Sequence, residues 1–243
     1  MIKVLVNGAH GKMGAEVVLA VSREEDMVVV GKIDRFDNLA ERIQTLKPDV
    51  VVDFTHPDVV SDNVKTILSE GVRPVVGTTG LSDADLKAIQ TLVKKKKLGG
   101  IVAPNFAIGA ILMMKFAAEA SKYMPRVEIV EYHHDNKADA PSGTAIKTAE
   151  MIAATNHHIN QSKLVETEII PHVRGGKKAH IPIHSIRLPG YVAHQEVLFG
   201  GLGQTLSIRH DALSRESFMP GVILSIRKVM QMDHFVYGLE NLI

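Results

Sequence analysis

The densest run of chemically capable side chains in this 243-residue chain lies between Glu131 and Thr144. It reads Glu-Tyr-His-His-Asp-Asn-Lys-Ala-Asp-Ala-Pro-Ser-Gly-Thr. His133 and His134 can exchange protons near neutrality. Lys137 adds a fixed positive charge a few residues on. Ser142 has the type and place of a helix N-cap, ahead of apolar Ile146, Ala149, Ile152 and Ala153. Gly143 and Thr144 then fall in the first turn, where free N–H groups and the helix dipole attract a carboxylate. Proton transfer beside a bound anion is the chemistry that this spacing suits. Adjacent strand residues face opposite ways. Both histidines therefore serve one site only if the preceding strand, Val127–Tyr132, ends at about His133. A bare His-His pair reads first as two polar residues at an exposed strand end. Lys137 and the Ser-Gly-Thr helix start reverse that here.

A second group of residues suits a nucleotide. Gly8, Gly11 and Gly14 follow an apolar run and precede the helical pattern Glu16–Val21, with Asp34 twenty residues past Gly14. Glycines let backbone approach a pyrophosphate at a helix N-terminus, and the acid accepts from ribose hydroxyls. Ala9, His10, Lys12 and Met13 share that loop. Arg35 can stack on adenine or pair with a 2′-phosphate, while Asp34 favours NADH by repelling one. Both NADH and NADPH are expected to bind. Gly77-Thr78-Thr79-Gly80 is a turn with two hydroxyls, suited to the nicotinamide-ribose end or to a plain strand-to-helix turn.

The elements that must hold these residues follow from the pattern between them. Five short apolar runs, Ile2–Val6, Val28–Ile33, Val50–Phe54, Val72–Val76 and Ile101–Ala103, alternate with helical stretches. They are nearly continuous in apolar character, as strands covered on both faces are. Such alternation predicts an open parallel sheet. Asp34-Arg35, Phe54, Gly77–Gly80 and Pro104-Asn105-Phe106 all sit just past strand ends, where open α/β sheets bind ligands. Ser82 predicts a capped helix, with Asp85 in the capping-box position. From Val127 onward the rhythm changes. Ile181–Leu188, Glu196–Phe199 and Gln204–Arg209 read as strands of a mixed or antiparallel sheet, and Met219–Met232 reads as a helix. The fold class is thus α/β, a parallel-sheet domain followed by an α+β domain.

Composition narrows the function classes. Lys plus Arg number 28 and Asp plus Glu 27, so the net charge of +1 offers no bulk attraction to nucleic acid or membrane. Lys94–Lys97 is the one charge run and reads as a solvated helix end. There is no Cys, hence no thiol nucleophile and no thiolate metal site. Nine of the twelve His lie between 133 and 210, but no HExxH occurs, so no metal is expected. His157-His158 reads as a polar loop. No apolar run reaches the roughly 20 residues of a membrane span. Met1–Val6 reads as a strand rather than a signal peptide, which favours a cytoplasmic address.

Taken together, Gly8–Gly14, Asp53-Phe54-Thr55, Gly77–Gly80, Ala103-Pro104-Asn105-Phe106 and the Glu131–Thr144 segment resemble the 4-hydroxy-tetrahydrodipicolinate reductases of lysine biosynthesis. The likeness runs nearly end to end and includes His184–Gly190 and Phe218–Val222. It implies a Rossmann-type domain over 1–104, completed by 215–243. It implies a substrate-binding and tetramerisation domain over 105–214, hence a homotetramer. It also implies reduction of a cyclic dicarboxylate by NADH or NADPH. In its terms His133 and Lys137 are catalytic, and His134, Lys137, Ser142, Gly143 and Thr144 hold substrate carboxylate. Gly8, Ala9, His10, Gly11, Lys12, Met13, Asp34, Arg35, Phe54, Gly77, Thr78, Thr79, Ala103, Pro104, Asn105 and Phe106 contact the cofactor. Two other readings stand beside this one: a two-domain dehydrogenase of another small acid, sugar or amino acid, and a nucleotide-sensing regulator without turnover.

Overall fold

The computed structural model describes residues 1–162, 164–165 and 167–243. In chain order the elements are β1 (Ile2–Asn7), α1 (Lys12–Ser22), β2 (Met27–Ile33), α2 (Leu39–Leu46), β3 (Val50–Asp53), α3 (Pro57–Ser69), β4 (Arg73–Val76), α4 (Asp83–Lys96) and β5 (Gly100–Val102). There follow α5 (Ile108–Ala120), β6 (Arg126–His133), α6 (Gly143–Thr155), β7 (Gly176–Lys178), β8 (Ile181–Arg187), β9 (Ala193–Gly201) and β10 (Gln204–Ala212). Last come α7 (Met219–Val229) and β11 (Phe235–Tyr237). The chain divides into two compact units, Met1–Ile108 with Arg215–Ile243, and Gly109–Ser214.

The first unit is built on a six-stranded sheet in the order β11-β5-β4-β3-β1-β2, with every pair parallel. The apolar strand runs are buried as their composition requires: Val4, Leu5, Val6, Val50, Val51 and Val52 are fully enclosed. Leu5, Ile33, Ile43, Val51, Ile67 and Val72 form one buried cluster; Val60, Val64, Leu68, Val76, Ile89, Val93 and Val102 form another. The Ser82 capping box forms as its spacing predicts, Ser82 Oγ accepting from Asp85 N–H and Asp85 accepting from Ser82 N–H. The strand order reverses between β1 and β3, so the carboxyl ends of those two strands flank the crevice where such sheets take ligands.

The second unit carries a mixed five-stranded sheet, β10-β9-β6-β8-β7. β6 runs parallel to β8 and antiparallel to β9. β9 and β10 form a hairpin around Leu202-Gly203, with Gly203 at φ 69°. α6 turns Ala145, Thr148, Ala149 and Ile152 inward and packs on β6 and β7.

Among the elements that escape the sequence pattern are α5 and β11. α5 buries Ala110, Ile111, Met113, Met114, Ala117 and Ala118. It is apolar nearly all round and so shows no stripe to betray a helical period. β11 has three residues and gains strand geometry from pairing with β5, not from its own composition. α7 also stops at Val229 rather than Met232.

Candidate active site

In the first unit, the turn after β1 is shaped by two close approaches. Gly8 sits at φ 81°, and a Cβ there would lie 2.2 Å from the Phe54 carbonyl oxygen. A Cβ on Gly14 would lie 2.0 Å from the Gly8 carbonyl oxygen. Only glycine lets β1, the turn and α1 pass this closely. Gly11 is the N-cap of α1, no side chain caps its amides, and its first turn has no acidic residue. Those open N–H groups and the positive helix end suit a pyrophosphate.

Gly11, Lys12, Met13, Phe54, Gly77, Thr78 and Thr79 meet around one cleft of about 400 Å³. Thr55 and Pro57, from the same strand end as Phe54, line it too. The Phe54 ring lies over Gly77, where a Cβ would stand 2.0 Å from it and could be taken only if the ring moved. Phe54 in turn packs against Phe106, ring centroids 5.9 Å apart. Ala103 and Phe106 are buried, whereas Pro104 is exposed.

Asp53, fully buried at the end of β3, organises this region. Its carboxylate accepts from Asn7 Nδ2 at 2.8 Å, Asn63 Nδ2 at 2.9 Å, Thr55 Oγ1 at 2.8 Å and Thr78 Oγ1 at 2.7 Å. The Thr78 hydroxyl also accepts from Thr55 N–H at 2.7 Å. Of the two hydroxyls in the 77–80 turn, that of Thr78 is bonded to Asp53 and that of Thr79 is exposed.

At the end of β2, Asp34 Oδ1 accepts from Arg35 N–H at 2.8 Å, and Oδ2 lies 3.3 Å from His10 Nδ1. The Arg35 N–H is the largest influence holding this carboxyl below its usual range; burial works the other way, and His10 reinforces the lowering. The Arg35 guanidinium lies 4.7 Å over the ring of exposed Phe36.

In the second unit, β6 ends at His133, the register that the paired histidines require. Glu131 and His133 are two apart and so share a face of the strand. Glu131 is fully buried and hydrogen-bonds His133 Nδ1 through Oε2. Its Oε1 accepts from Arg187 Nη2 at 2.8 Å. Burial opposes ionisation of Glu131, but hydrogen bonds from His133, Arg187 and Ser185 outweigh it and bring the carboxyl to about 2. His134 lies past the strand and is exposed. Lys137 is tied to Asp139, and Arg187 also donates to the Asp139 carbonyl at 2.8 Å. Ser142 is buried as the N-cap of α6, its Oγ accepting from Ala145 N–H at 3.2 Å. Gly143 is exposed, and a Cβ there would meet nothing within 4 Å. The helix start is therefore open to an anion.

Glu131 and Arg187 are the functional candidates that sequence reasoning passed over. Glu131 was detectable by the period of two within its strand. Arg187 reaches it from 56 residues away, across the β6–β8 pairing. Among the described residues no group of three or more His, Asp or Glu is placed to hold a metal ion. Nor is any helix there long and apolar enough to cross a membrane.

Two family models cover nearly all of the chain: dihydrodipicolinate reductase N-terminus over residues 2–106, and dihydrodipicolinate reductase C-terminus over residues 109–243. The chain belongs to the dihydrodipicolinate reductase family. The 4-hydroxy-tetrahydrodipicolinate reductase of Listeria monocytogenes serotype 4b (strain F2365) is 49% identical, with all of both chains covered. That of Desulfitobacterium hafniense (strain DSM 10664 / DCB-2) is 50% identical over 99% of this chain and 98% of its own. Among solved structures, the dipicolinate-bound dihydrodipicolinate reductase from Paenisporosarcina sp. TG-14 superposes with a TM-score of 0.93 at 47% identity, covering both chains completely. The amine dehydrogenase of Mycobacterium smegmatis, at 11% identity and a TM-score of 0.66 over 98% of this chain and 95% of its own, shares the fold alone. The Glu131–Thr144 segment belongs to the part that matches the reductase C-terminus.

Proposed function

We propose that this protein reduces 4-hydroxy-tetrahydrodipicolinate to tetrahydrodipicolinate with NADH or NADPH, in the diaminopimelate route to lysine. The observation that carries the reading is the full-length match to a dipicolinate-bound reductase, together with an open helix start at Gly143 on the same unit as His133 and Lys137. The glycine cradle of the first unit fits a dinucleotide because Gly8 and Gly14 leave no room for side chains and α1 leaves its first amides uncapped. When bound, that cofactor supplies a hydride to the carbon conjugated with the ring imine.

The chain's own residues do the rest. Gly8, Ala9, His10, Gly11, Lys12 and Met13 hold the phosphates, and Asp34 and Arg35 bind the adenosine end. Phe54, Gly77, Thr78, Thr79 and Ala103–Phe106 form the nicotinamide end. The dicarboxylate sits on His134, Lys137, Gly143 and Thr144, with Ser142 keeping the helix start in place. Loss of the ring hydroxyl as water leaves a conjugated imine. Hydride addition puts an electron pair on the substrate, and His133 in its imidazolium form donates the balancing proton and becomes neutral, with Lys137 stabilising the developing charge. The assembly is a cytoplasmic homotetramer built through the second unit, whose sheet exposes Leu198, Leu202 and Leu206.

The test is oxidation of NADH and of NADPH with substrate generated in place from pyruvate and aspartate semialdehyde by the preceding synthase. Fast oxidation that dipicolinate suppresses is expected. A folded protein that binds NADH without oxidising it would refute the reading.

A further inference from the structure

We propose that Glu131 is a positioning residue that fixes the proton of neutral His133 on Nδ1, so that Nε2 is the atom that exchanges a proton with substrate. The inference rests on the proposed role of His133. Glu131 has no accessible surface; Oε2 bonds His133, Oε1 accepts from Arg187, and the Ser185 hydroxyl is a third donor to the carboxylate. An ionised carboxylate only accepts hydrogen bonds. Nδ1 of His133 must then be the donor, and Nε2 is left without a hydrogen in the neutral ring. The same contact holds the ring by its Nδ1 edge, so the carboxylate sets its orientation as well as its tautomer.

The groups packed around Glu131 reinforce this assignment. From β8 come Ser185, directly opposite, and Arg187, the one cation bonded to the carboxylate among the described residues. From β9 comes Gln195, opposite on the other side, whose Nε2 donates to Thr148 of α6 at 2.8 Å. The face that α6 turns inward, Ala145, Thr148, Ala149 and Ile152, is uncharged. Lys137 is engaged by Asp139 instead. His133 is thus the one titratable partner of Glu131 among these groups, and Arg187 keeps the carboxylate in the form that only accepts.

An amide cannot repeat the arrangement. In Glu131→Gln, Arg187 has nothing but donors and claims the single amide oxygen, while the Ser185 hydroxyl can turn to donate or accept and so does not fix which way the amide points. The amide NH2 then faces Nδ1, which must accept, and the ring proton moves to Nε2. The charged imidazolium meets a donor at Nδ1 where it had a carboxylate.

The experiment reads the tautomer and the kinetics together. Long-range proton–nitrogen NMR on the isotope-labelled full-length protein locates the imidazole proton, with the His133 signals assigned by their loss in His133→Asn. The wild type should show Nδ1–H. Glu131→Gln should show Nε2–H, with kcat lowered about 100-fold, KM for the dicarboxylate within about threefold and NADH binding kept. A purely structural loss would not invert the tautomer. Nε2–H in the wild type overturns the proposal even if Glu131→Gln does not fold, and so does a folded Glu131→Gln with kcat within about threefold of wild type. Undiminished turnover in His133→Asn overturns it differently, through the role of His133 itself. Loss of turnover there, with Nε2–H in the wild type, removes Glu131 alone and leaves the reductase reading in place.

Discussion

Lys137 and Asp139 hold each other in a two-point ion pair, Nζ lying 2.7 and 2.8 Å from the two carboxylate oxygens. Lys137 is largely covered, whereas Asp139 is mostly exposed. The hydrogen bond from Lys137 is the main reason that the Asp139 carboxyl lies below its usual range. If Lys137 holds the substrate carboxylate as proposed, Asp139 competes for the same ammonium. Asp139→Asn should release the ammonium and lower the Kd of dipicolinate by about two- to fivefold, the worth of one exposed ion pair. Isothermal titration checks this; weaker binding would show that Asp139 orients Lys137 rather than competing for it.

Lys137→Ala removes the cation altogether. Turnover should fall by about two orders of magnitude and dicarboxylate affinity should drop, with NADH affinity retained. Steady-state kinetics with a separate NADH titration would separate these effects. Unchanged turnover would end the assignment.

Gly8 and Gly143 predict opposite outcomes for one substitution. Gly8→Ala forces a Cβ into the Phe54 carbonyl at positive φ and should cost several degrees of Tm along with NADH binding. Gly143→Ala meets open space and should leave Tm nearly unchanged while raising KM for the dicarboxylate. Thermal melts and kinetics on both variants test the contrast. A large Tm loss in Gly143→Ala would mean that the site is packed rather than open.

Asp34→Ala should move cofactor preference toward NADPH by roughly tenfold in the ratio of kcat/KM values, equivalent to about 1.4 kcal/mol. It removes the carboxylate that would repel a 2′-phosphate and leaves Arg35 over Phe36. An unmoved ratio would exclude Asp34 from the ribose contact.

Glu131 also predicts an acid limb in stability. Its folded carboxyl lies at about 2 against an ordinary 4.5, so its ionised form favours the native state. That contribution is full above about pH 4.5 and is lost as pH falls toward 2. The shift corresponds to about 3 kcal/mol. Denaturant melts from pH 6 to pH 2 should show a shallower acid loss in Glu131→Gln than in wild type; parallel curves would place the acid sensitivity elsewhere.

How far these features were legible in the sequence depended on how local their cause is. The capped helix at Ser82, the cap at Ser142 and the strand ending at His133 rest on neighbours within a few residues. The glycine turn was visible as spacing, but the reason for Gly8 is the Phe54 carbonyl, on another strand end. The bond from Thr78 Oγ1 to Asp53 is likewise hidden from the sequence, because the two residues are 25 apart and meet only where β3 and β4 end together. The pairing of Glu131 with Arg187 needs the parallel crossover from β6 to β8. α5 was hidden for the opposite reason, an excess of apolar residues that erased its period.

β11 closes the sheet of the first unit against β5, and α7 packs on α1. These pieces are made last, after all of Gly109–Ser214 has been translated. On the ribosome, residues 1–108 thus wait with the β5 edge unpaired while another whole unit emerges between them and their missing strand. An exposed strand edge is a template for wrong pairing. Nascent chains stalled before residue 215 should accordingly be the most aggregation-prone stage of synthesis, and a C-terminal fusion that delays release of Phe235–Tyr237 should lower the soluble yield more than an N-terminal one.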